Sequence, residues 1–246
     1  MSVILSKLRE AKRSGKTLFA VLLDPDRPVD NQFINRVRDA ENAGVDLFLV
    51  GGSLMANDYM DETIKAIRDI SNIPVLLFPG SSIQITPSAD ALLFLSLISG
   101  RNPDLLIGQH VMAAPYVKKS GLEVIPTGYM LIDGGPATTA HYVSQSLPIP
   151  HNKPNIAATT AMAGEMLGLQ VIYLDAGSGA HKPVSAEMIQ SVRASVDVPI
   201  IVGGGMVSQE DLQNASRAGA DVVVVGNALE NGDAHVASLS AALNRL

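Results

Sequence analysis

Eight short apolar runs punctuate the chain. They occupy residues 17–23, 46–50, 73–78, 91–97, 123–131, 170–174, 198–202 and 221–225. Their apolar character is continuous rather than alternating, as in strands buried on both faces. Between most of them the apolar positions return at helical spacing. That alternation predicts a parallel sheet, and eight repeats predict a (β/α)8 TIM barrel. The phrases NAGVD (42–46) and RAGAD (217–221) mark two junctions, where a helix closes at glycine and a strand opens after aspartate. The N-terminal segment reads as an amphipathic helix with Ile4, Leu5, Leu8 and Ala11 on one face.

One repeat is irregular. Only PGSSIQITPSAD (79–90) separates the third and fourth runs, and its Pro87 and β-branched residues oppose a full helix. The expectation is a modified barrel, with the third crossover helix missing or replaced and the wall open there. No linker stands out, so residues 1–246 read as a single domain.

Glycine ends the last strands. Gly203-Gly204-Gly205 follows the seventh run and Gly226-Asn227 the eighth. Barrel chemistry sits on the loops after the strands, and phosphate favours the loops after strands seven and eight. Bare backbone N–H groups near a helix N-terminus make an anion nest. Ser208, with Asp211 three residues on, predicts the start of that helix. A third loop, YLDAGSGAHKP (173–183), adds Gly177, Ser178 and Gly179. Tyr173 and Asp175 share strand parity and point one way. A carboxylate beside a phosphate cradle repels the anion, but it suits the receipt of a proton from a hydroxyl. Across the mouth stand Asp24-Pro25-Asp26 and Gly51-Gly52-Ser53. Their oxygens suit Mg²⁺, which binds partly through substrate phosphates. Asp-Pro-Asp is equally a turn signal.

Composition removes several alternatives. The net charge of −6 argues against nucleic acid as a partner. No stretch is apolar and long enough for an integral membrane segment, and the N-terminus lacks a signal-peptide core, so a cytoplasmic protein is expected. With no cysteine there is no thiolate metal site and no cysteine nucleophile. The five histidines form no metal-ligand pair at helical spacing and receive no role, although His181 stands beside the strand-six loop. Lys153, after strand five, is placed where a diphosphate could meet it. No lysine lies inside a predicted strand, which disfavours a Schiff-base aldolase. Two rivals stand: a phosphosugar isomerase using Asp24 and Asp133, and a non-catalytic phosphate-binding barrel.

Nine segments, in order over nearly the whole chain, resemble the geranylgeranylglyceryl phosphate synthase family, which includes the heptaprenylglyceryl phosphate synthases. They are LLDPD (22–26), VGGS (50–53), LFPGS (77–81), LFLSLISGRNP (93–103), PTGYMLIDGG (126–135), IPHNKP (149–154), YLDAGSGA (173–180), VGGGM (202–206) and VGNAL (225–229). The resemblance implies a barrel lacking its third helix. It implies a prenyltransferase that joins the 3-hydroxyl of sn-glycerol 1-phosphate to a prenyl diphosphate, with geranylgeranyl diphosphate expected, and Mg²⁺ as cofactor. It places the metal at Asp24 and Ser53. It places glycerol phosphate at Tyr173, Leu174, Asp175, Ala176, Gly177, Ser178, Gly179, Gly204, Gly205, Gly226 and Asn227. Asp24 and Asp175 become the catalytic residues. Family members usually carry Glu where this chain has Asp175, which keeps the carboxylate and shortens its reach by one methylene. The prenyl tail is expected at the opening near residues 79–100, beside Leu93, Phe94, Leu95, Leu97 and Ile98. The resemblance also implies a homo-oligomer, a dimer or an assembly of dimers, with the region around Tyr142 able to supply a contact.

Overall fold

The structure is a computed structural model and describes residues 2–57, 59–226, 229 and 235–243. Eight parallel strands close into a barrel: β1 Leu18–Leu23, β2 Leu47–Val50, β3 Val75–Leu77, β4 Ala91–Leu97, β5 Glu123–Leu131, β6 Val171–Asp175, β7 Ile200–Gly203 and β8 Val222–Val225. β1 pairs with β2 on one side and β8 on the other, so no edge is left. The described helices are α1 Val3–Ser14, α2 Asn31–Asn42, α3 Met60–Ile70, α4 Gln109–Ser120, α5 Thr139–Ser144, α6 Pro154–Met166, α7 Ala186–Arg193, α8 Gln209–Arg217 and α9 Val236–Leu243.

The continuous apolar runs are explained by two separate cores. Residues of one strand parity, among them Ala20, Leu49, Leu76, Leu93, Ile125, Tyr173, Ile201 and Val224, fill the barrel. The other parity, with Val21, Phe48, Leu92, Met130, Leu174, Val202 and Val223, packs into the layer between sheet and helices. α1 plugs the N-terminal end of the barrel with Ile4, Leu5, Leu8 and Ala11, the face read from the sequence. Its orphan amides are held from β5. The Glu123 carboxylate accepts from the N–H groups of Val3, Ile4 and Leu5 at 2.7, 2.8 and 2.8 Å, and from Ser2 Oγ at 2.6 Å. Desolvation pushes that carboxyl up, but these donors outweigh it and hold its pKa below the usual range.

The aspartates that open strands have a common task. Asp46, Asp90 and Asp221 each accept from the first amides of the preceding strand: Phe19 N at 3.1 Å, Val75 N at 2.8 Å and Ile200 N at 2.7 Å. They fix the strand starts and leave the opposite end for chemistry.

The third crossover carries no helix. Between β3 and β4 runs a loop with one 3₁₀ turn, Ser82–Gln84. It packs backbone to backbone on the loop after β2, where a Cβ on Gly80 would come within 2.4 Å of the Gly52 carbonyl oxygen. Buried Gln84 ties the two loops: its Oε1 accepts from Gly80 N and its Nε2 donates to the Gly52 carbonyl, both at 3.0 Å. Between β5 and β6, by contrast, there are two helices, α5 and α6.

Candidate active site

The C-terminal ends of β1, β2, β6, β7 and β8 surround one cavity of about 1340 Å³, its open mouth included. Asp24, Ser53, Tyr173, Asp175, Gly177, Ser178, Gly179, Gly204, Gly205 and Gly226 all line it. Leu174 and Ala176 do not. Their side chains belong to the outer apolar layer, and the Ala176 amide is used in the sheet, donating to the Gly203 carbonyl at 3.0 Å. Asn227 lies outside the described residues.

The glycines are required by backbone geometry. Gly177, Gly204 and Gly205 have φ of 89°, 82° and 68°, in the left-handed region. A Cβ on Gly204 would sit 2.5 Å from the Gly177 amide nitrogen and 2.7 Å from Asp175 Oδ1. The two loops therefore meet through bare backbone beside the carboxylate. Just beyond, α8 begins with the expected capping box: Ser208 Oγ accepts from Asp211 N, and Asp211 Oδ2 from Ser208 N.

Asp175 stands at the end of β6, 7% exposed. Oδ2 accepts from the Tyr129 hydroxyl at 2.6 Å and Oδ1 from the Gly177 amide at 2.7 Å. Tyr129 reaches it because β5 and β6 pair Tyr129 with Tyr173. Desolvation raises the Asp175 pKa, while the bonds from Tyr129 and Gly177 and the field of His141 oppose the rise. The Tyr129 hydroxyl is pushed well above its usual value, first by burial and then by the Asp175 charge. It is a donor, not an anion. Phe78, Tyr129 and Tyr173 pack as an aromatic trio, with Phe78 and Tyr173 stacked at 5.0 Å.

A second, apolar cavity of about 930 Å³ adjoins the first. It occupies the wall that the missing helix leaves, between the β3–β4 loop and helices α4 and α5. The two cavities share Gly52, Ser53, Phe78 and Ala140. Tyr129 lines the apolar one and Asp175 the polar one, so their hydrogen bond bridges the junction. Of the residues expected at the groove, Phe94, Leu95 and Leu97 line it. Leu93 points into the barrel, and Ile98 packs in the outer layer.

A polar cradle, an apolar groove and a buried carboxylate between them can bring an anionic polar molecule and an apolar chain together. The PcrB family model matches residues 9–243. The chain belongs to the PcrB family. It is 58% identical over 223 residues, 91% of this chain and 90% of the relative, to geranylgeranylglyceryl phosphate synthase of Spirosoma linguale. It is 52% identical over 221 residues, 90% of this chain and 88% of the relative, to the enzyme of that name from Chitinophaga pinensis. Its fold superposes with a TM-score of 0.92 at 31% identity, over all of both chains, on the crystal structure of (S)-3-O-geranylgeranylglyceryl phosphate synthase of Thermoplasma acidophilum in complex with sn-glycerol-1-phosphate.

The remaining expectations can be placed on this PcrB-family chain. Asp26 is a structural half of Asp-Pro-Asp: its Oδ1 accepts from Ala56 N and Asn57 N at 2.8 and 2.6 Å. Asp24 is the half that lines the mouth, with Oδ1 also accepting from Asp26 N at 3.0 Å. The turn and the site are thus the same feature. Among the described residues no group of three His, Cys, Asp or Glu could cage a metal. Asp133 spends Oδ1 on the Gly135 amide and lines neither cavity. Lys153 is exposed at the N-cap of α6 and lines neither, nor does His181. Residue types did not single out Tyr129, Phe78 or Gln84. The parity that aligned Tyr173 with Asp175 holds the signal for Tyr129 once β5 and β6 are put in register.

Proposed function

We propose that this chain joins sn-glycerol 1-phosphate to a prenyl diphosphate through an ether bond and releases diphosphate. The observation that carries this reading is the buried Asp175–Tyr129 pair at the junction of a glycine-lined polar cavity and an apolar groove. In this account the amides around Gly177–Gly179, Gly204–Gly205 and Gly226 hold the phosphate of glycerol 1-phosphate. Asp175 accepts the proton of the 3-hydroxyl. The hydroxyl oxygen forms its bond to C1 of the prenyl chain while the C1–O bond breaks, and diphosphate leaves with the bonding pair. In this account the packed trio of Phe78, Tyr129 and Tyr173 lies beside the reacting carbon, and ring faces turned to it would stabilise the positive charge that develops there.

The leaving diphosphate needs a counter-charge. Among the described residues no Lys or Arg lines either cavity. One carboxylate, Asp24, and one hydroxyl, Ser53, do fit Mg²⁺ completed by substrate oxygens and water. Bound there, the ion would supply neutralisation of the leaving charge. Geranylgeranyl is the expected tail, as in the names of the similar enzymes.

The same proposal includes a homo-oligomer. α4, α5 and α6 expose Met112, Tyr116, Tyr142 and Met166, and Leu147 and Leu167 are exposed just beyond α5 and α6, large apolar side chains of the kind that subunits bury. It also includes action in the cytoplasm. Among the described residues no helix is long and apolar enough to cross a membrane, and charged substrates do not cross a bilayer unaided.

The test is transfer of labelled sn-glycerol 1-phosphate to an organic-extractable product, with Mg²⁺ and with EDTA. Metal-dependent product is expected. Folded protein that makes none with any prenyl diphosphate would leave a phosphate-binding barrel in its place.

A further inference from the structure

Between β5 and β6 the chain lays α5 across the site, and one face of this short helix serves both cavities. Thr139 lines the polar cavity, Val143 and Ser144 the apolar groove, and Ala140 both. The start of α5 is fastened by a histidine that the reaction does not use. His141 stands at the third helical position, where Glu or Gln usually reaches back to the N-cap in a capping box. Here the imidazole does so: its Nδ1 accepts from the Thr138 amide at 3.2 Å. Its Nε2 is buried with no hydrogen-bond partner, so the tie to Thr138 is the bond that orients the ring. Thr138 is itself buried and packs on the strand-six loop. A Cβ on Gly177 would lie 2.8 Å from both Oγ1 and Cγ2 of Thr138. The Gly177 amide is the group that donates to Asp175 Oδ1 at 2.7 Å. His141, Thr138, Gly177 and Asp175 thus form one continuous line of contacts.

We propose that His141 is a positioning residue for the transfer reaction: by holding Thr138 against Gly177 it sets the hydrogen bond that orients Asp175. The inference rests on the prenyl-transfer reading of the site, in which Asp175 takes the proton. Gly177 has no side chain with which to fix its own loop, and the contact with Thr138 takes that part. Thr138 keeps the contact while its backbone is held, and the amide that His141 holds belongs to the same residue. A looser Gly177 weakens a bond that favours the anion of Asp175 and lets the carboxylate turn away from the 3-hydroxyl. A side chain at position 141 that accepts from Thr138 should therefore support the reaction. One that cannot should slow it, with both substrates still bound.

The test compares His141→Gln, which keeps an acceptor at this position, with His141→Ala, which has none, in the full chain. The readouts are kcat and KM with sn-glycerol 1-phosphate, geranylgeranyl diphosphate and Mg²⁺, and the titration of Asp175 by carbon NMR of labelled aspartate, assigned with Asp175→Asn. Both variants lose the field of His141 at Asp175, so the difference between them isolates the tie to Thr138. The Gln variant should keep a kcat near that of wild type. The Ala variant should lower kcat about tenfold with little change in KM, and its Asp175 should titrate at higher pH than in the Gln variant. Thr138→Ser keeps the amide and the hydroxyl and loses only the methyl group on Gly177. It should raise the Asp175 titration relative to wild type. Equal kcat and equal titration in the Ala and Gln variants overturn the inference. So does an unmoved titration in Thr138→Ser, which decides the matter if circular dichroism shows that the Ala variant does not fold. A wild type that makes no ether product, with the Ala and Gln titrations still apart, would instead overturn the reaction and keep the positioning. Normal transfer with equal titrations would do the reverse.

Discussion

Asp175 has one oxygen on Tyr129 and the other on Gly177, and these contacts decide what each substitution does. As a base it must be ionised, yet burial raises its pKa. kcat/KM should therefore fall as pH drops through a value above the usual carboxylate range. Tyr129→Phe removes a bond that favours the anion, so that acid limb should move to still higher pH; a profile identical to wild type would show that the tyrosine does not set the carboxylate. Asp175→Asn should lower kcat by about 10²–10⁴. The same change should raise Tm at neutral pH. A carboxyl with a raised folded-state pKa weakens the fold as pH rises through its unfolded and then its folded value, and Asn removes that term. A variant that is inactive and also less stable would contradict the second half. Glycine is the other lesson at this scale. Gly204→Ala would place a Cβ 2.5 Å from the Gly177 nitrogen at a left-handed φ. It should cost about 1–3 kcal/mol by chemical denaturation, together with loss of glycerol-phosphate binding.

At the scale of elements, the strands were legible because a barrel strand is apolar on both faces, and such runs stand out. The helix-free third crossover was legible in Pro87 and its β-branched neighbours. The face of α1 was legible from its spacing. Its cap was not. Glu123 lies 118–121 positions along the chain from the groups it holds, and no local pattern reports such a contact. Glu123→Gln should destabilise the fold by about 1 kcal/mol. Because the carboxyl's folded-state pKa is lowered, its contribution is present above the usual glutamate range and lost as pH falls through the folded value. The stability gap between wild type and variant should therefore close in acid; a gap independent of pH would assign the loss to packing. The site divides in the same way. Residues on one strand or in one loop, such as Tyr173, Asp175 and Gly177–Gly179, were read from local spacing. Tyr129 and Phe78 join them only through register and barrel closure. Leu174 was included by its place in a motif, but its parity turns it outward.

For the molecule as a whole, the division is between a polar mouth and an apolar wall. Five strand ends supply glycines and oxygen atoms to the first. The lost third helix opens the second. Neither cavity has a lysine or arginine among its described linings, in a chain of net charge −6. Binding of a diphosphate should accordingly depend on divalent metal more than on ionic strength. Titration calorimetry with Mg²⁺ and with EDTA measures this directly; equally tight binding in EDTA would contradict it. The central claim is that Asp175 joins the two substrates that these cavities hold. It is tested most directly by single-turnover mixing of wild type and Asp175→Asn with sn-glycerol 1-phosphate, geranylgeranyl diphosphate and Mg²⁺. The account predicts rapid ether product from the wild type, and binding of both substrates without product on that timescale from the variant. Ether formation by the variant at the wild-type rate would contradict it.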